Sequence, residues 1–340
     1  MTVKGFEEYL ARLGVRPAGR PSVEELFALQ RAHLARIPYE NVGIQLGRPP
    51  GMAPEESVRR FAAGEGGYCF HLNGALAALL GALGYDVSLH AGGVHTDADG
   101  RGATGNHLAL TVRVGGAAWF VDVGLGDGPF EPLPLREGTY ALGDFVYRLR
   151  RSEAEPGGWS LYPPRSSDIR LMEFRTEPAA LADFADEHVR LSTAADSAFV
   201  KTFAMLRRDE KRVWVLRGRV LTRIEAAGAV TEQIDTPEEW FGTMEERFLR
   251  RVDGLDADDR AALWLRVSRA HGEWLARRGR NGSGGQAAAG CPDAAAVRGG
   301  ETGGQGETGE RTMTHVHDGQ AQADAEGPRG EGRPGNRQGG

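Results

Sequence analysis

The chain has 340 residues, 47 of them acidic and 41 basic, for a formal net charge of −6; that length suits two or three domains. The first 280 residues hold no long basic block, which excludes the clustered positive footprint that nucleic acid requires. No apolar run reaches membrane-spanning length, the first ten residues lack the apolar core of a signal peptide, and two cysteines make no disulfide framework. A cytoplasmic protein without membrane partners is expected.

Phe6, Tyr9, Leu10 and Leu13 recur at helical spacing. Ser22 three residues before Glu25 is a capping-box signature, and it opens a helix carrying Leu26, Phe27, Leu29 and Leu34. Gly66-Gly67-Tyr68-Cys69 reads as a tight turn entering a third helix, whose apolar residues run from Leu72 to Leu83 and which ends at Gly84. Residues 1–85 are therefore expected to form a helical bundle.

From Val87 the pattern alternates. His107 to Val114 and Ala117 to Val123 are strand-like and are separated by Gly115-Gly116, a direct hairpin signal. Further alternating segments, Phe145–Leu149 and Trp159–Tyr162, extend a β domain over 86–177, punctuated by prolines that argue against long regular strands. Residues 178–280 mix a helix (181–192), short strands (212–216 and 220–224) and two amphipathic helices (237–252 and 257–278). Beyond Arg280 the composition turns to Gly, Ala, Gln, Glu and Arg with almost no large apolar residue, so 281–340 is expected to be disordered. Cys291, His315 and His317 fall there. They are read as solvated, and no metal site is expected.

Cys69 is the one cysteine outside that tail. Partial positive charge at a helix start favours thiolate over thiol, the form that attacks a carbonyl carbon. A lone cysteine is also a good small core hydrophobe, and by itself it decides nothing. The hairpin adds a geometric test. With Gly115-Gly116 as a two-residue turn, Val114 pairs with Ala117, and Asp122 falls opposite Ala109, diagonal to His107 on the same face. Diagonal neighbours lie about 7–8 Å apart at the backbone, within reach of an imidazole and a carboxylate. Each alone reads first as a strand-end histidine or a strand-terminating aspartate. Together with Cys69 they form the constellation in which a histidine takes the thiol proton while an aspartate orients the ring. Gly124-Leu125-Gly126 begins like a dinucleotide fingerprint, but Pro129 occupies the place of the final glycine, so no nicotinamide site is expected.

Gly66-Gly67-Tyr68-Cys69-Phe70, His107 entering a strand and Val121-Asp122-Val123-Gly124-Leu125-Gly126 together resemble the arylamine N-acetyltransferases. Arg36-Ile37-Pro38-Tyr39-Glu40-Asn41 and Gly92-Gly93-Val94 support the likeness, which covers about residues 5–275. The resemblance implies an α+β fold: an N-terminal helical bundle, a central β-barrel and an α/β lid around a cysteine-protease-like Cys-His-Asp core. It implies acetyl-CoA as donor and an arylamine or hydrazine as acceptor, with Cys69, His107 and Asp122 catalytic, and Thr104, Gly105, Gly124 and Gly126 near the cofactor. The chain departs from the family pattern at Glu65, where arginine is frequent, at His71, where glutamate is, and at Leu125, where phenylalanine is. Some relatives close chains into lactams as amide synthases. Other Cys-His-Asp acyl hydrolases, and a non-catalytic binding role, are the competing readings.

Overall fold

The computed structural model describes residues 5–164, 166–225, 227–281 and the pair Thr314–His315. The rest of the expected tail, with Cys291 and His317, lies outside the described residues. Thr314–His315 departs from the expectation of disorder: it pairs in parallel with Tyr140–Ala141.

Five helices precede the main sheet: α1 (Glu7–Leu13), α2 (Val23–Arg36), α3 (Val42–Gln45), α4 (Pro54–Ala62) and α5 (Cys69–Ala82), with a two-residue strand β1 (Tyr39–Glu40) after α2. Phe6, Tyr9, Leu10 and Leu13 are all buried, as their spacing predicts. Ser22 caps α2 by accepting the Glu25 N–H at 3.1 Å. The other half of the expected capping box is absent. Glu25 instead accepts the Ala18 N–H at 2.6 Å and the Tyr85 hydroxyl at 2.8 Å, tying α2 to the chain on either side of it. α4 lies outside the helices that apolar spacing marks, although Pro54 at its first turn, then Glu55 and Glu56, is a sound helix start.

The main sheet is built from β2 (Asp86–His95), β3 (His107–Val114), β4 (Ala117–Val121), β5 (Leu133–Pro134), β6 (Gly138–Leu142), β7 (Phe145–Arg151), β8 (Trp159–Tyr162) and β9 (Leu171–Ala179). Its order is β6-β7-β8-β9-β2-β3-β4-β5, all antiparallel, with Thr314–His315 outside β6. β5 and β6 stand near opposite ends of that order, yet only residues 135–137 join them. The sheet therefore curls almost closed, around Phe120, Leu133, Tyr147, Leu161 and Phe174.

A turn of 3₁₀ helix (Leu181–Phe184), α6 (Ala185–Thr193) and α7 (Ala198–Lys201) lead into β10 (Ala204–Arg208), β11 (Val213–Arg217), β12 (Val220–Glu225) and β13 (Gly228–Gln233), then α8 (Pro237–Phe248) and α9 (Ala257–Asn281). This second sheet has the order β1-β10-β11-β12-β13, so its first strand comes from the N-terminal helical segment. α8 stops four residues before its expected end. Leu249 takes a left-handed φ of 56° and breaks the helix, and the buried Arg250 follows it. Among the described residues no helix is long and apolar enough to cross a membrane.

β3 lies between two cores. Leu108, Leu110 and Val112 face the helical core, and Ala109 faces the barrel interior. α5 packs on β3 and β2, and every residue from Cys69 to Ala77 is buried. A helix apolar on all sides is what that sandwiched place demands.

Candidate active site

Gly115 and Gly116 adopt φ of 63° and 74°, a turn that needs positive φ at both positions. The register follows as the sequence reading has it: Val114 pairs with Ala117 and Leu110 with Val121, where the ladder ends. Asp122 is the next residue. Its Oδ2 accepts His107 Nε2 at 2.6 Å, and its Oδ1 accepts the N–H groups of Gly124 and Leu125 at 2.8 and 3.1 Å. The carboxylate is thus held by its own loop while it holds the ring.

Cys69 begins α5, with no acidic residue in the first turn to offset the positive helix end. Its thiol reaches the Asn106 carbonyl at 3.7 Å, one residue before His107. Since Asp122 occupies Nε2, Nδ1 is the ring nitrogen left for the thiol. Burial works against a charged imidazole here. The Asp122 carboxylate and the hydrogen bond and charge of Cys69 outweigh it and push the His107 pKa up to about 10. A thiol beside an imidazole that a carboxylate holds is an arrangement suited to nucleophilic chemistry at a carbonyl carbon.

Asn73, one turn after Cys69, belongs to none of the sequence motifs. Fully buried, it donates to Leu108 O at 2.6 Å and accepts the Val123 N–H at 2.8 Å. One side chain therefore fastens the Cys69 helix to both arms of the His107–Asp122 hairpin. The signal was a single amide four residues from the cysteine, on a helix whose only other polar side chain is His71.

Of the four residues expected near a cofactor, Thr104 is exposed and Gly105 half-buried on the β2–β3 loop, whereas Gly124 and Gly126 are buried. Gly124 spends its N–H on Asp122, and a Cβ there would lie 2.8 Å from the Cys69 Cα; its place is close packing against Cys69. Gly126 packs against Leu206.

The turn before Cys69 rests on a buried charge network. Glu40 accepts the N–H groups of Val42 and Gly66 at 2.5 and 3.2 Å, and lies 3.6 Å from Arg60 and 3.4 Å from Arg250. Glu65, the first departure from the family pattern, sits 2.7 Å from Arg60, so two arginines lie between two carboxylates. His71, the second departure, accepts the Tyr68 N–H at 3.3 Å. Burial, then Arg60 and His188, push its pKa down to about 3, so it caps the helix as a neutral ring. Next to Glu40, Asn41 donates to Phe199 O and Thr202 O and accepts the Ala204 N–H, fixing the second sheet to the same turn.

A model of an N-acetyltransferase family matches residues 22–255. An arylamine N-acetyltransferase of Mycobacterium bovis is 31% identical over 282 residues, covering 79% of this chain and 95% of the relative. The chain belongs to the arylamine N-acetyltransferase family. It is an acyltransferase of that family. The structure of the Mycobacterium marinum arylamine N-acetyltransferase in complex with CoA superposes with a TM-score of 0.70 at 28% identity, covering 78% of this chain and 99% of that one. A Proansamycin X synthase of Amycolatopsis mediterranei is 33% identical over 161 residues, 46% of this chain and 62% of the relative.

Proposed function

We propose that this protein transfers an acetyl group from acetyl-CoA to an arylamine or hydrazine through a thioester on Cys69. The observation that carries the reading is His107, paired with Asp122 at 2.6 Å and beside the Cys69 thiol, in a chain of this family. The Cys69 thiolate attacks the acetyl carbonyl, and the departing CoA sulfur takes the proton from the His107 imidazolium. The amine then attacks the thioester. His107 takes the amine proton, the Cys69 sulfur leaves as thiolate, and the starting ion pair is restored. Asp122 stabilises the imidazolium and fixes the ring's tautomer. Acceptance of CoA is supported by the M. marinum relative's solved complex with CoA. Thr104 and Gly105, on the exposed loop that leads to Cys69, are proposed to meet the donor, with Gly124 and Gly126 shaping the inner wall.

The partial match to a protein named Proansamycin X synthase favours one second reading, in which the same triad delivers an acyl chain to an amine within a secondary metabolite, as an amide synthase. Intact-mass spectrometry after mixing with acetyl-CoA tests the main reading. One added acetyl group, mapped to the Cys69 peptide and discharged on adding an arylamine, is expected. Rapid loss of that acetyl group to water without an amine would point to a hydrolase, and no acetylation at all would sink the mechanism.

A further inference from the structure

Glu173, on β9, is a carboxylate with 1% exposure. Among the described residues no cation stands within ion-pair distance of it. Its Oε2 accepts the Gly102 N–H at 2.6 Å, and its Oε1 accepts the hydroxyls of Ser152 and Ser160 at 2.5 and 2.7 Å. Ser152 in turn accepts the Glu155 N–H at 2.9 Å, and Glu155 accepts the Ala103 N–H at 2.6 Å while pairing with Arg175 at 2.9 Å. Two carboxylates thus grip consecutive amides of one loop, and the β7–β8 turn links them.

That loop leads straight to the nucleophile. After Gly102 and Ala103 come the exposed Thr104 and then Gly105, whose missing side chain would meet no atom within 4 Å. Gly105 donates to Gly92 O at 2.9 Å, Asn106 accepts the Val94 N–H at 2.8 Å, and the Asn106 carbonyl meets the Cys69 thiol. Within two residues the backbone passes from the protein surface to the reacting sulfur. A donor as large as a CoA thioester needs such a route, whereas a small ester reaches the sulfur without leaning on the loop's outer face.

A buried carboxylate with no ion-pair partner among the described residues carries a desolvation cost, which its hydrogen bonds chiefly offset, with His95 adding a smaller favourable charge. Burial disfavours its charge, yet the Gly102 amide and the two serine hydroxyls hold it below the usual carboxylate range. We propose that Glu173 is a positioning residue for donor recognition: by clamping Gly102 from beneath, with Glu155 clamping Ala103, it sets the height of the 102–106 loop over which a CoA thioester approaches Cys69. The proposal rests on the acetyl-CoA reading above.

The test compares two acyl donors on E173Q and wild type. The second-order rate of Cys69 acylation is followed by intact mass with acetyl-CoA and with p-nitrophenyl acetate, which has no CoA portion. A loop displaced by a fraction of an ångström lowers the acetyl-CoA rate roughly ten- to a hundredfold, while the p-nitrophenyl acetate rate stays within about twofold of wild type. S160A, which removes one donor and keeps the charge, shows the same selectivity to a smaller degree and serves if E173Q does not fold. E173Q and S160A matching wild type with both donors, or losing both rates in parallel, would overturn the proposal. Failure of the wild-type protein itself to take acetyl from acetyl-CoA would overturn the underlying reading, and the proposal with it.

Discussion

The hairpin that carries His107 and Asp122 is held by its neighbours in sequence, whereas the turn that carries Cys69 is held by residues from Glu40 to Arg250. In the hairpin, two glycines set the turn, the turn sets the register, and the loop's own N–H groups fix the aspartate. At the cysteine, a carboxylate on β1, an arginine on α4 and another past the end of α8 meet around Gly66. The proposed base of the site is a local product, and the proposed nucleophile is placed by the whole fold. Damage to the hairpin should therefore reach chemistry directly, while damage around Cys69 should reach stability first.

The largest effect is expected at the nucleophile. Cys69→Ser should cut acetyl transfer by roughly 10⁴-fold or more with the fold intact, since a serine hydroxyl stays un-ionised at neutral pH; steady-state kinetics beside circular dichroism would show it. Asp122→Asn should remain folded and lose on the order of 10³–10⁴-fold, as the amide no longer stabilises the imidazolium and permits the wrong tautomer. Near-normal turnover in a soluble Asp122→Asn protein would remove Asp122 from the mechanism.

Glu40→Ala breaks the comparison from the other side. It removes the buried partner of Arg60 and Arg250 and leaves them only the partly exposed Glu65. Breaking a buried pair costs up to about 3–5 kcal/mol, and the remaining carboxylate should hold the loss toward the lower end. Urea unfolding should register that loss; a change below about 1 kcal/mol would mean the Cys69 turn is as self-sufficient as the hairpin.

His107 supplies a pH test. Its folded pKa is raised from 6.5 to about 10, so its contribution to stability is fully present below about pH 6.5 and is lost as pH rises through about 10. The imidazole resonances of the folded protein should accordingly report a protonated ring through about pH 8. Titration of that ring near its ordinary value would deny the ion pair.

The smallest effect sharpens the local half. Gly116→Ala meets no neighbouring atom, but it asks for a φ of 74°, which costs about 1–2 kcal/mol for an L-residue. Thermal unfolding should show that loss with the register unchanged, and Gly116→Asn should lose less.

The sequence by itself determined whatever depends on neighbours along the chain. It placed Cys69 at a helix start, and it put His107 and Asp122 on one face, because strand periodicity and a Gly-Gly turn allow a single register. The motifs that resemble the family likewise lie in short contiguous runs. Tertiary structure alone decided how Asn73 bolts the helix to the hairpin, how Arg250 reaches Glu40, how Glu173 supports the 102–106 loop, and that β10 pairs with β1. Those partners are separated by up to about two hundred positions, and β10, where the adjacent Met205 and Leu206 are both buried on opposite faces and two arginines follow, shows no apolar alternation to mark it. A polar side chain in an apolar run announces that it needs a partner, since burying it unpaired is costly. Which partner it finds is settled only when distant segments pack.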